Sequence, residues 1–467
     1  MSFALFLVLA FQFLATIASG TSLVARNNTS GFVSVNAGKF QLDGSLFRFY
    51  GTNAYWLQMT TDDDMDLTFH DIATAGLKVV RTWAFNDVSH KPSSGPYFQI
   101  LDATSSTIND GADGLQRLDK LVATASKYGI KVLLSLTNNW NPERPEASSS
   151  WNRRDNNALP RGYLSNDYGG MDLYVRTFHP GGAHDLFYTD TTIIKAFKNY
   201  VAHVVSRYAN NPAVLGWELG NDLRCASTVA ASSSCNTATI TKWVNDISGY
   251  IKSLDSHHLI TAGDGGFYCL GCKKTYASKS TQPRPSLPGS SFDGSYGVDT
   301  EDILAVPCID FGSFQLFPDQ NNYFPTQVDS AAAKAIGDGG NWVAVHSNTA
   351  TLLGKPEVLT AAGIVTKEHY SMFVPFNAVA RLPDGTPCGG VETFQQDYAF
   401  TAWSSAALNG NVEGVLEYQW LQDGLTSHGT VHKRALTTSP QDGSGHYNGP
   451  ANKQTAEQFG DSLPPIE

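Results

Sequence analysis

The sequence predicts a single (β/α)₈ barrel. Short apolar runs alternate with helical patterns along most of the 467 residues. The apolar runs are continuous rather than alternating, which is typical of strands buried on both faces of a parallel sheet. Eight such runs are present, the number that closes a barrel. An open doubly wound sheet is the alternative, but Gly51-Thr52-Asn53-Ala54 lacks the G-x-G-x-x-G turn that such a sheet prefers after its first strand.

The predicted elements follow one another in a regular order. Residues Phe32–Leu42 alternate in polarity and turn at Ala37-Gly38, which predicts a small N-terminal hairpin. The eight predicted strands are Phe47–Thr52, Leu77–Thr82, Lys131–Leu136, Val214–Glu218, Leu259–Ala262, Ile309–Leu316, Glu357–Thr360 and Val415–Trp420. The predicted helices include Asp62–Ala75, Leu115–Tyr128, Thr192–Tyr208, Thr239–Leu254 and Phe394–Leu408.

The composition excludes several classes of protein. Charged residues make up 16% and aromatic residues 11% of the chain, which is too little charge and too many rings for a disordered protein. No internal apolar run reaches the roughly 20 residues of a membrane span. The net charge is −11 and the basic residues form no dense cluster, so neither a membrane nor nucleic acid is a predicted partner.

The two ends of the chain predict secretion and a loose tail. Residues 1–20 contain an apolar run that ends in Ala18-Ser19-Gly20, as in a secretory signal peptide; a buried N-terminal helix is the alternative. Residues 21–31 form a linker in which Asn27 and Asn28 are overlapping glycosylation acceptors. The barrel is assigned to residues 32–436, and the Gly-, Ser- and Pro-rich residues 437–467 to a surface tail.

Six cysteines in a secreted chain indicate disulfides. Cys225 and Cys235 flank a loop that a disulfide could close, and Cys269 and Cys272 form a C-x-x-C. Zinc binding is disfavoured because no second C-x-x-C exists, so a local disulfide is predicted. Cys308 and Cys388 could pair or remain free.

Polar and aromatic residues follow the predicted strands, at the end of a barrel that carries the chemistry. Long loops, 141–166, 267–300 and 370–395, fall at the same end and predict a groove. Aromatic rings stack on the apolar faces of sugars, and amides and carboxylates bind sugar hydroxyls, so a polysaccharide is the predicted ligand. The strand-end residues singled out are Arg81, Trp83, Asn139, Trp140, Asn221, Asp222, Asp264, Gln315, Phe317, Tyr418 and Trp420.

Several motifs at these strand ends resemble the secreted fungal endo-β-1,4-mannanases of glycoside hydrolase family 5. They include Val80-Arg81-Thr82-Trp83-Ala84-Phe85-Asn86, Thr137-Asn138-Asn139-Trp140, and Gly216-Trp217-Glu218-Leu219-Gly220-Asn221-Asp222. The resemblance extends from about Phe32 to about Trp420. It implies a (β/α)₈ barrel, mannan-type substrates, no cofactor, and retaining hydrolysis by two glutamates.

The chain departs from the family at both catalytic positions. The family's acid/base is the Glu of an Asn-Glu pair after strand four, and Asp222 stands there. Matching Lys355-Pro356 and Gly363 to the family places Ala361 at the nucleophile. Asp is shorter than Glu by about 1.5 Å, and a displacement of that size can lower a rate on the order of 100-fold. A methyl group cannot attack carbon at all.

The neighbouring positions are also altered. The family's strand-six His-x-Tyr is Gln315-Leu316-Phe317, which keeps the ring and loses the hydroxyl. The family's strand-eight Trp falls at Tyr418, although a two-residue slip would place Trp420 there. Arg81, Asn139 and Asn221 are retained. Residues 141–166 form an insertion that carries Trp151, Arg153, Arg154 and Arg161.

Other carboxylates offer a poor replacement. Glu218 and Glu357 each precede a catalytic position by four residues, which places them roughly 13 Å lower in the barrel. Glu368 could reach the site only by a large loop excursion. An inverting scheme with Asp222 as acid and Asp264 as base needs about 6.5–9.5 Å between carboxylates. No metal-ligand spacing and no G-x-S-x-G elbow is present, although a Ser-His-Asp arrangement remains open.

Three functional hypotheses follow. The preferred one is a secreted, monomeric mannanase-like barrel that binds β-mannan, glucomannan or galactomannan and hydrolyses it very weakly or not at all. The second is a working glycoside hydrolase of altered mechanism that uses Asp222 and an unidentified base. The third is a secreted structural or interaction protein with no glycan role.

Overall fold

A computed structural model provides the structure of the chain. It describes residues 30–438 apart from 105, 144–160, 283–288, 322, 325–330, 368–389 and 432–433. The predicted signal peptide, Asn27, Asn28, Cys388, Glu368 and most of the 141–166 insertion therefore lie outside the described residues, as does the tail beyond 438.

Eight parallel strands form the central sheet, which confirms the predicted barrel. We label them β1 (Phe49–Asn53), β2 (Val79–Trp83), β3 (Lys131–Ser135), β4 (Val214–Glu218), β5 (Leu259–Thr261), β6 (Gly312–Leu316), β7 (Glu357–Ala362) and β8 (Val412–Glu417). The order across the sheet is β5-β4-β3-β2-β1-β8-β7-β6. Nearly every strand residue is buried, because both faces of the sheet are covered.

The barrel closes between β5 and β6 without a regular ladder. Individual hydrogen bonds bridge this seam: the Asp310 amide donates to the Ile260 carbonyl at 2.9 Å, and the Gln315 amide donates to the Gly265 carbonyl at 3.2 Å. The Ser313 hydroxyl also accepts from the Gly263 amide at 2.9 Å. Strand β5 has only three residues, so it offers few backbone groups for pairing.

Helices surround the sheet. They are α1 (Asp62–Thr74), α2 (Leu115–Lys127), α3 (Met171–Phe178), α4 (Leu186–Thr189), α5 (Thr191–Tyr208), α6 (Thr237–Leu254), α7 (Thr300–Leu304), α8 (Ala331–Leu353) and α9 (Thr393–Leu408), with a 3₁₀ turn at Leu57–Met59. Side-chain caps begin several of them: Thr61 accepts from the Asp64 amide, and Asn236 forms a capping box with Thr239. Every helix predicted from the sequence is present.

Helix α8 was not predicted, because its glycines resemble loop signals. At Gly339 the glycine is required by packing: a Cβ there would lie 2.0 Å from the indole nitrogen of Trp403 on α9. The close approach of the two helices therefore depends on the missing side chain. The neighbouring Gly340 has no atom within 4 Å of such a Cβ.

The last strand was predicted three residues too late. The prediction was Val415–Trp420, whereas β8 runs Val412–Glu417. Gly414 made the start of this strand resemble a turn in the sequence. The glycine is required by packing, because a Cβ at that position would lie 2.3 Å from the Phe49 ring. Beyond Glu417 the chain turns over the barrel, where the Tyr418 amide donates to the Ala362 carbonyl at 2.8 Å.

The predicted N-terminal hairpin covers the barrel end opposite the groove. Strands Val33–Asn36 and Lys39–Leu42 pair antiparallel, and Ser45–Leu46 adds a third strand. Both turn residues, Ala37 and Gly38, have positive φ angles of 49° and 75°. Phe40 packs against Phe49 and Phe311, at the starts of β1 and β6, with ring centroids 5.7 and 5.3 Å apart.

Smaller elements complete the fold. Three short strands, Asp87–Val88, Gln99–Ile100 and Thr107–Ile108, form a small sheet. A hairpin of Asp423–Val431 and Arg434–Thr438 crosses the boundary predicted between 436 and 437. Among the described helices, none has the length and apolarity needed to cross a membrane.

Both predicted disulfides are present. Cys225 and Cys235 are joined with a Cα–Cα distance of 5.8 Å, and Cys269 is joined to Cys272 with a distance of 5.3 Å. Cys308 is a half-buried thiol with no disulfide to another described cysteine.

Candidate active site

One pocket opens at the carboxyl ends of the barrel strands, as predicted. It is lined by Arg81, Trp83, Trp140, Ser165, Asn166, Asn221, Asp222, Arg224, Gln315, Phe317, Gln320, Asn321, Ala361 and Tyr418. These residues come from strands or loops spread around most of the barrel, because parallel strands all end on the same rim. Most of the residues singled out from the sequence therefore meet in one place.

Asp222 is held in a fixed orientation at the wall of the pocket. One carboxylate oxygen accepts a hydrogen bond from the Trp140 indole at 2.7 Å, and the other accepts from the Arg224 Nε at 3.0 Å. The side chain is 9% exposed. Its backbone lies in the left-handed region with φ of 58°, which Asp tolerates better than most residues, and its amide donates to the Gly263 carbonyl at 2.7 Å.

Arg224 was not singled out from the sequence. Its guanidinium carbon lies 5.5, 4.8 and 4.6 Å from the ring centroids of Trp140, Phe267 and Tyr296. Three aromatic faces and the Asp222 carboxylate therefore fix this cation in the pocket wall. Its position two residues after Asp222 is the one sequence signal that could have pointed to it.

At the floor of the pocket, Arg81 forms a buried ion pair with Glu218, which lies outside the pocket lining. Two hydrogen bonds of 2.8 and 2.6 Å join the guanidinium to the carboxylate, whose side chain is fully buried. Arg81 also donates to the side-chain carbonyl of Asn53 at 2.9 Å, and Ser135 donates to Glu218 at 2.7 Å. Glu218 is thus a buried residue of the barrel, as predicted.

Asn221 connects this buried layer to the pocket. Its side-chain oxygen accepts from Arg81 at 2.7 Å and from Gln315 at 2.9 Å. Its amide nitrogen donates to the side-chain oxygen of Asn138 at 2.8 Å. Because the protein occupies both ends of this amide, its orientation is fixed before any ligand binds.

Ala361 lies near the end of β7 and lines the same pocket as Asp222. Beside it, the rings of Phe317 and Tyr418 meet edge to face, with centroids 5.4 Å apart. Tyr418 rather than Trp420 lines the pocket; the Trp420 indole is directed to Gln422 at 2.8 Å. Among the described lining residues, the only carboxylate belongs to Asp222.

Asn139 lies outside this pocket, although it was singled out as a sugar-binding residue. It is fully buried; its side-chain oxygen contacts the His184 Nε2 at 2.8 Å, and its nitrogen donates to the Ala226 carbonyl. His184 in turn contacts Asp172 at 2.7 Å. In this structure Asn139 braces the loop after β3 rather than facing the groove.

Asp264 also lies outside the pocket, in the wall below it. It is 1% exposed and accepts from the Gly266 amide at 3.2 Å. Burial, with a smaller contribution from the negative charge of Glu357, raises the pKa of Asp264 to about 7. A base that activates water must contact that water, and this carboxyl does not line the groove.

The pocket can therefore bind a polyhydroxylated ligand through rings, amides and guanidinium groups, with one carboxylate in its wall. The end of the predicted insertion contributes Ser165 and Asn166, and the loop after β6 contributes Gln320 and Asn321, none of which the sequence had indicated. Within the described residues, no group of three or more His, Cys, Asp or Glu could hold a metal ion.

Fold and site together define a (β/α)₈ barrel with a groove lined by rings, amides and guanidinium groups at the carboxyl ends of its strands. The family model for "GH family 5 beta-mannosidase-like" proteins matches residues 30–280. The chain is 35% identical over 404 residues to mannan endo-1,4-beta-mannosidase A of Aspergillus aculeatus, covering 85% of this chain and 91% of that enzyme. The chain belongs to glycoside hydrolase family 5.

Two further comparisons agree with this assignment. Mannan endo-1,4-beta-mannosidase A of Hypocrea jecorina is 36% identical over 361 residues, covering 75% of this chain and 67% of that enzyme. The crystal structure of an endo-1,4-beta-mannanase from Rhizomucor miehei superposes with a TM-score of 0.67 at 28% identity, covering 92% of this chain and 99% of the other.

Proposed function

We propose that this chain is a secreted protein that binds a β-mannan-type polysaccharide and has very weak or no endo-1,4-β-mannosidase activity. The substrate class comes from the relatives, which are named for the hydrolysis of mannan. The groove supports it, because Trp83, Trp140 and Tyr418 offer rings to the apolar faces of sugars. Two disulfides are typical of secreted proteins.

The observation that carries the proposal is the pairing of Asp222 and Ala361 in one groove. Retaining hydrolysis needs two carboxyl groups about 5–5.5 Å apart, one to protonate the leaving oxygen and one to attack the anomeric carbon. The second of these is a methyl group here. The first is short, and both of its oxygens already accept hydrogen bonds from Trp140 and Arg224.

The ring at Phe317 extends this pattern. A hydroxyl at this position could contact a nucleophile at position 361, and Phe317 has none. The loss of a carboxylate and of a hydroxyl that would contact it is what we expect when selection no longer acts on hydrolysis. Rings and hydrogen-bonding groups remain in the groove, which is what binding alone requires.

The experiment is a pair of assays on the purified secreted protein. Reducing ends are followed on galactomannan, glucomannan and xylan, and binding to the same polymers is measured by calorimetry. We expect binding to a mannan-type polymer and little or no release of reducing ends. Asp222→Ala and Asp264→Asn serve as matched variants.

Each outcome bears on one hypothesis. Turnover that disappears in Asp222→Ala contradicts the proposal and favours a working hydrolase of altered mechanism. If turnover also disappears in Asp264→Asn, Asp264 is the base of an inverting scheme. If none of the polymers binds, the chain has no glycan role of this kind, and a structural or interaction function takes its place.

A further inference from the structure

Two aromatic side chains on α9 are unusually exposed. Phe394 is 70% exposed and Tyr398 is 62% exposed, the largest values among the described large hydrophobic residues. They are four residues apart on one helix, so their side chains lie on the same face, with Cβ atoms about 6 Å apart. Two neighbouring exposed rings form a small apolar patch on the surface of the helix.

Packing of the fold does not require these rings. The opposite face of α9 supplies the core contacts: Ala399, Phe400 and Trp403 are each 1% exposed. The Trp403 indole donates to the Ala335 carbonyl of α8 at 3.3 Å. Helix α9 is therefore anchored without Phe394 and Tyr398.

The pair lies at the groove end of the barrel. The first turn of α9 is tied to the chain that directly follows β7: the Val391 amide donates to the Val365 carbonyl at 2.9 Å, and the Gln396 side chain donates to the Ile364 carbonyl at 2.6 Å. Ile364 is only three residues beyond Ala361. The rings thus lie on the outer side of the rim whose inner side carries the pocket.

Little charge surrounds the pair: the half-buried Asp397, next to Tyr398 in sequence, is the one charged residue within α9. The exposed residues within α9 carry no charge: Thr393, Phe394, Tyr398, Thr401 and Ser405. At the start of the helix, Lys367 and Glu392 form an ion pair at 2.6 Å and cancel each other's charge. Rings flanked by hydroxyls and one carboxylate match a neutral sugar polymer, whose hydroxyls can donate hydrogen bonds to them. They do not match a nucleic acid or an acidic peptide, which the carboxylate would repel.

We propose that Phe394 and Tyr398 form a second binding site for a neutral β-linked polysaccharide, separate from the pocket. The site rests on the proposed function for the identity of the polymer, a β-mannan. Its role is to hold the protein on insoluble polymer, where neighbouring chains present many sugar faces. Short oligosaccharides that fill the pocket do not need it.

The test compares the double variant Phe394→Ala/Tyr398→Ala with the wild-type protein and with Leu352→Ala. Leu352 is 57% exposed on α8 and serves as a matched control for the loss of exposed apolar surface. Binding to insoluble β-mannan is measured by depletion, and binding of mannohexaose by calorimetry. We expect the double variant to bind the insoluble polymer about tenfold more weakly, with mannohexaose binding and thermal stability unchanged.

The two proposals fail in different ways. Equal binding of insoluble mannan by wild type and double variant, with mannohexaose still bound, overturns the α9 site alone. If the wild-type protein does not bind mannohexaose but binds insoluble mannan more tightly than the double variant does, the pocket proposal alone is overturned. Concentration-dependent self-association of the wild type that the double variant lacks assigns the rings to a contact between two copies and overturns the second site.

Discussion

The interior of the barrel contains two layers whose side chains serve different purposes. The lower layer is built around the buried ion pair of Arg81 and Glu218, in which Arg81 also donates to Asn53 and Glu218 also accepts from Ser135. The upper layer, around the pocket, includes Ala361 and Asp222, which under the proposed function stand at the two catalytic positions. The buried polar groups of the first layer are hydrogen-bonded, whereas under the proposed function the second layer lacks the nucleophile that retaining hydrolysis needs.

This difference shows which constraints hold a barrel together. A buried charge without its partner costs several kcal/mol, so the lower layer cannot change one residue at a time. A carboxylate at the open end can become a methyl group with no buried partner left uncompensated. Loss of catalysis is therefore compatible with a fully folded chain, and each layer can be tested separately.

The largest effect is expected in the lower layer. Glu218→Ala leaves Arg81 buried without its carboxylate, and we expect a loss of about 3–5 kcal/mol in the free energy of unfolding. Asp246→Ala removes the partner of Lys198 from an exposed pair and should cost about 0–1 kcal/mol. Urea denaturation measures both, and similar losses in the two variants would contradict the distinction between the layers.

Rebuilding the upper layer should restore chemistry. The double change Asp222→Glu/Ala361→Glu returns both carboxyls, and we expect release of reducing ends from galactomannan to rise at least about 100-fold. The control Asp222→Glu/Ala361→Gln has the same size but no nucleophile. Equal activity of the two double variants would mean that the groove itself no longer accepts the substrate in a productive position.

Outside the barrel, the contact between α8 and α9 offers a smaller effect. Gly339→Ala places a methyl group against the Trp403 indole, and we expect a loss of about 1–3 kcal/mol in stability. Gly340→Ala meets no neighbouring atom and should stabilise the helix by about 0.5–1 kcal/mol. Thermal unfolding separates the two, and a change of the same sign in both would contradict the packing argument.

A further effect, which appears only away from neutral conditions, is a pH dependence that arises from the wall of the barrel. His346 and Glu357 are fully buried and 2.5 Å apart. Burial, aided by the charge of Glu301, raises the pKa of Glu357, and burial lowers the pKa of His346 below its ordinary 6.5. The folded pair therefore retains one proton over a wide range of pH.

The sign of the dependence follows from the unfolded chain. Above pH 6.5 the unfolded pair holds no proton while the folded pair still holds one, so the stability of the protein falls as the pH rises. Below pH 4.5 the unfolded pair holds two protons while the folded pair holds one, so the stability falls as the pH decreases. In each of these two pH regions, stability changes by about 1.4 kcal/mol per pH unit. In Glu357→Gln only His346 can bind a proton, so the loss of stability on acidification should begin near pH 6.5 instead of 4.5. An unchanged dependence of stability on pH would contradict the assignment of the effect to this pair.

Much of the fold was predictable because its strands are continuous apolar runs. Val214–Glu218 was predicted to the residue. Two of the failures share a cause: Gly339 in α8 and Gly414 in β8 are glycines required by a neighbouring ring. A single sequence shows the glycine but not the ring, so both positions resembled breaks in regular structure.

The site was predictable where strand ends determine it and not where loops do. Asp222, Gln315 and Ala361 follow from counting along strands. Asn139 and Asp264 lie beyond the regular part of β3 and β5, where side chains no longer alternate strictly between the two sides. Arg224 was missed because the rings around it come from separate loops, and only the folded chain brings them together.

The seam between β5 and β6 has a consequence for how the barrel moves. Where a ladder is replaced by a few individual hydrogen bonds, local opening costs less free energy than opening of a fully paired strand. We expect the amide of Asp310 to exchange with deuterium well before those of Leu133 and Leu134, which lie inside the paired strand β3. Equal protection would contradict this expectation. Because Gln315 lies beside the seam and lines the pocket, each opening event would also loosen one wall of that pocket.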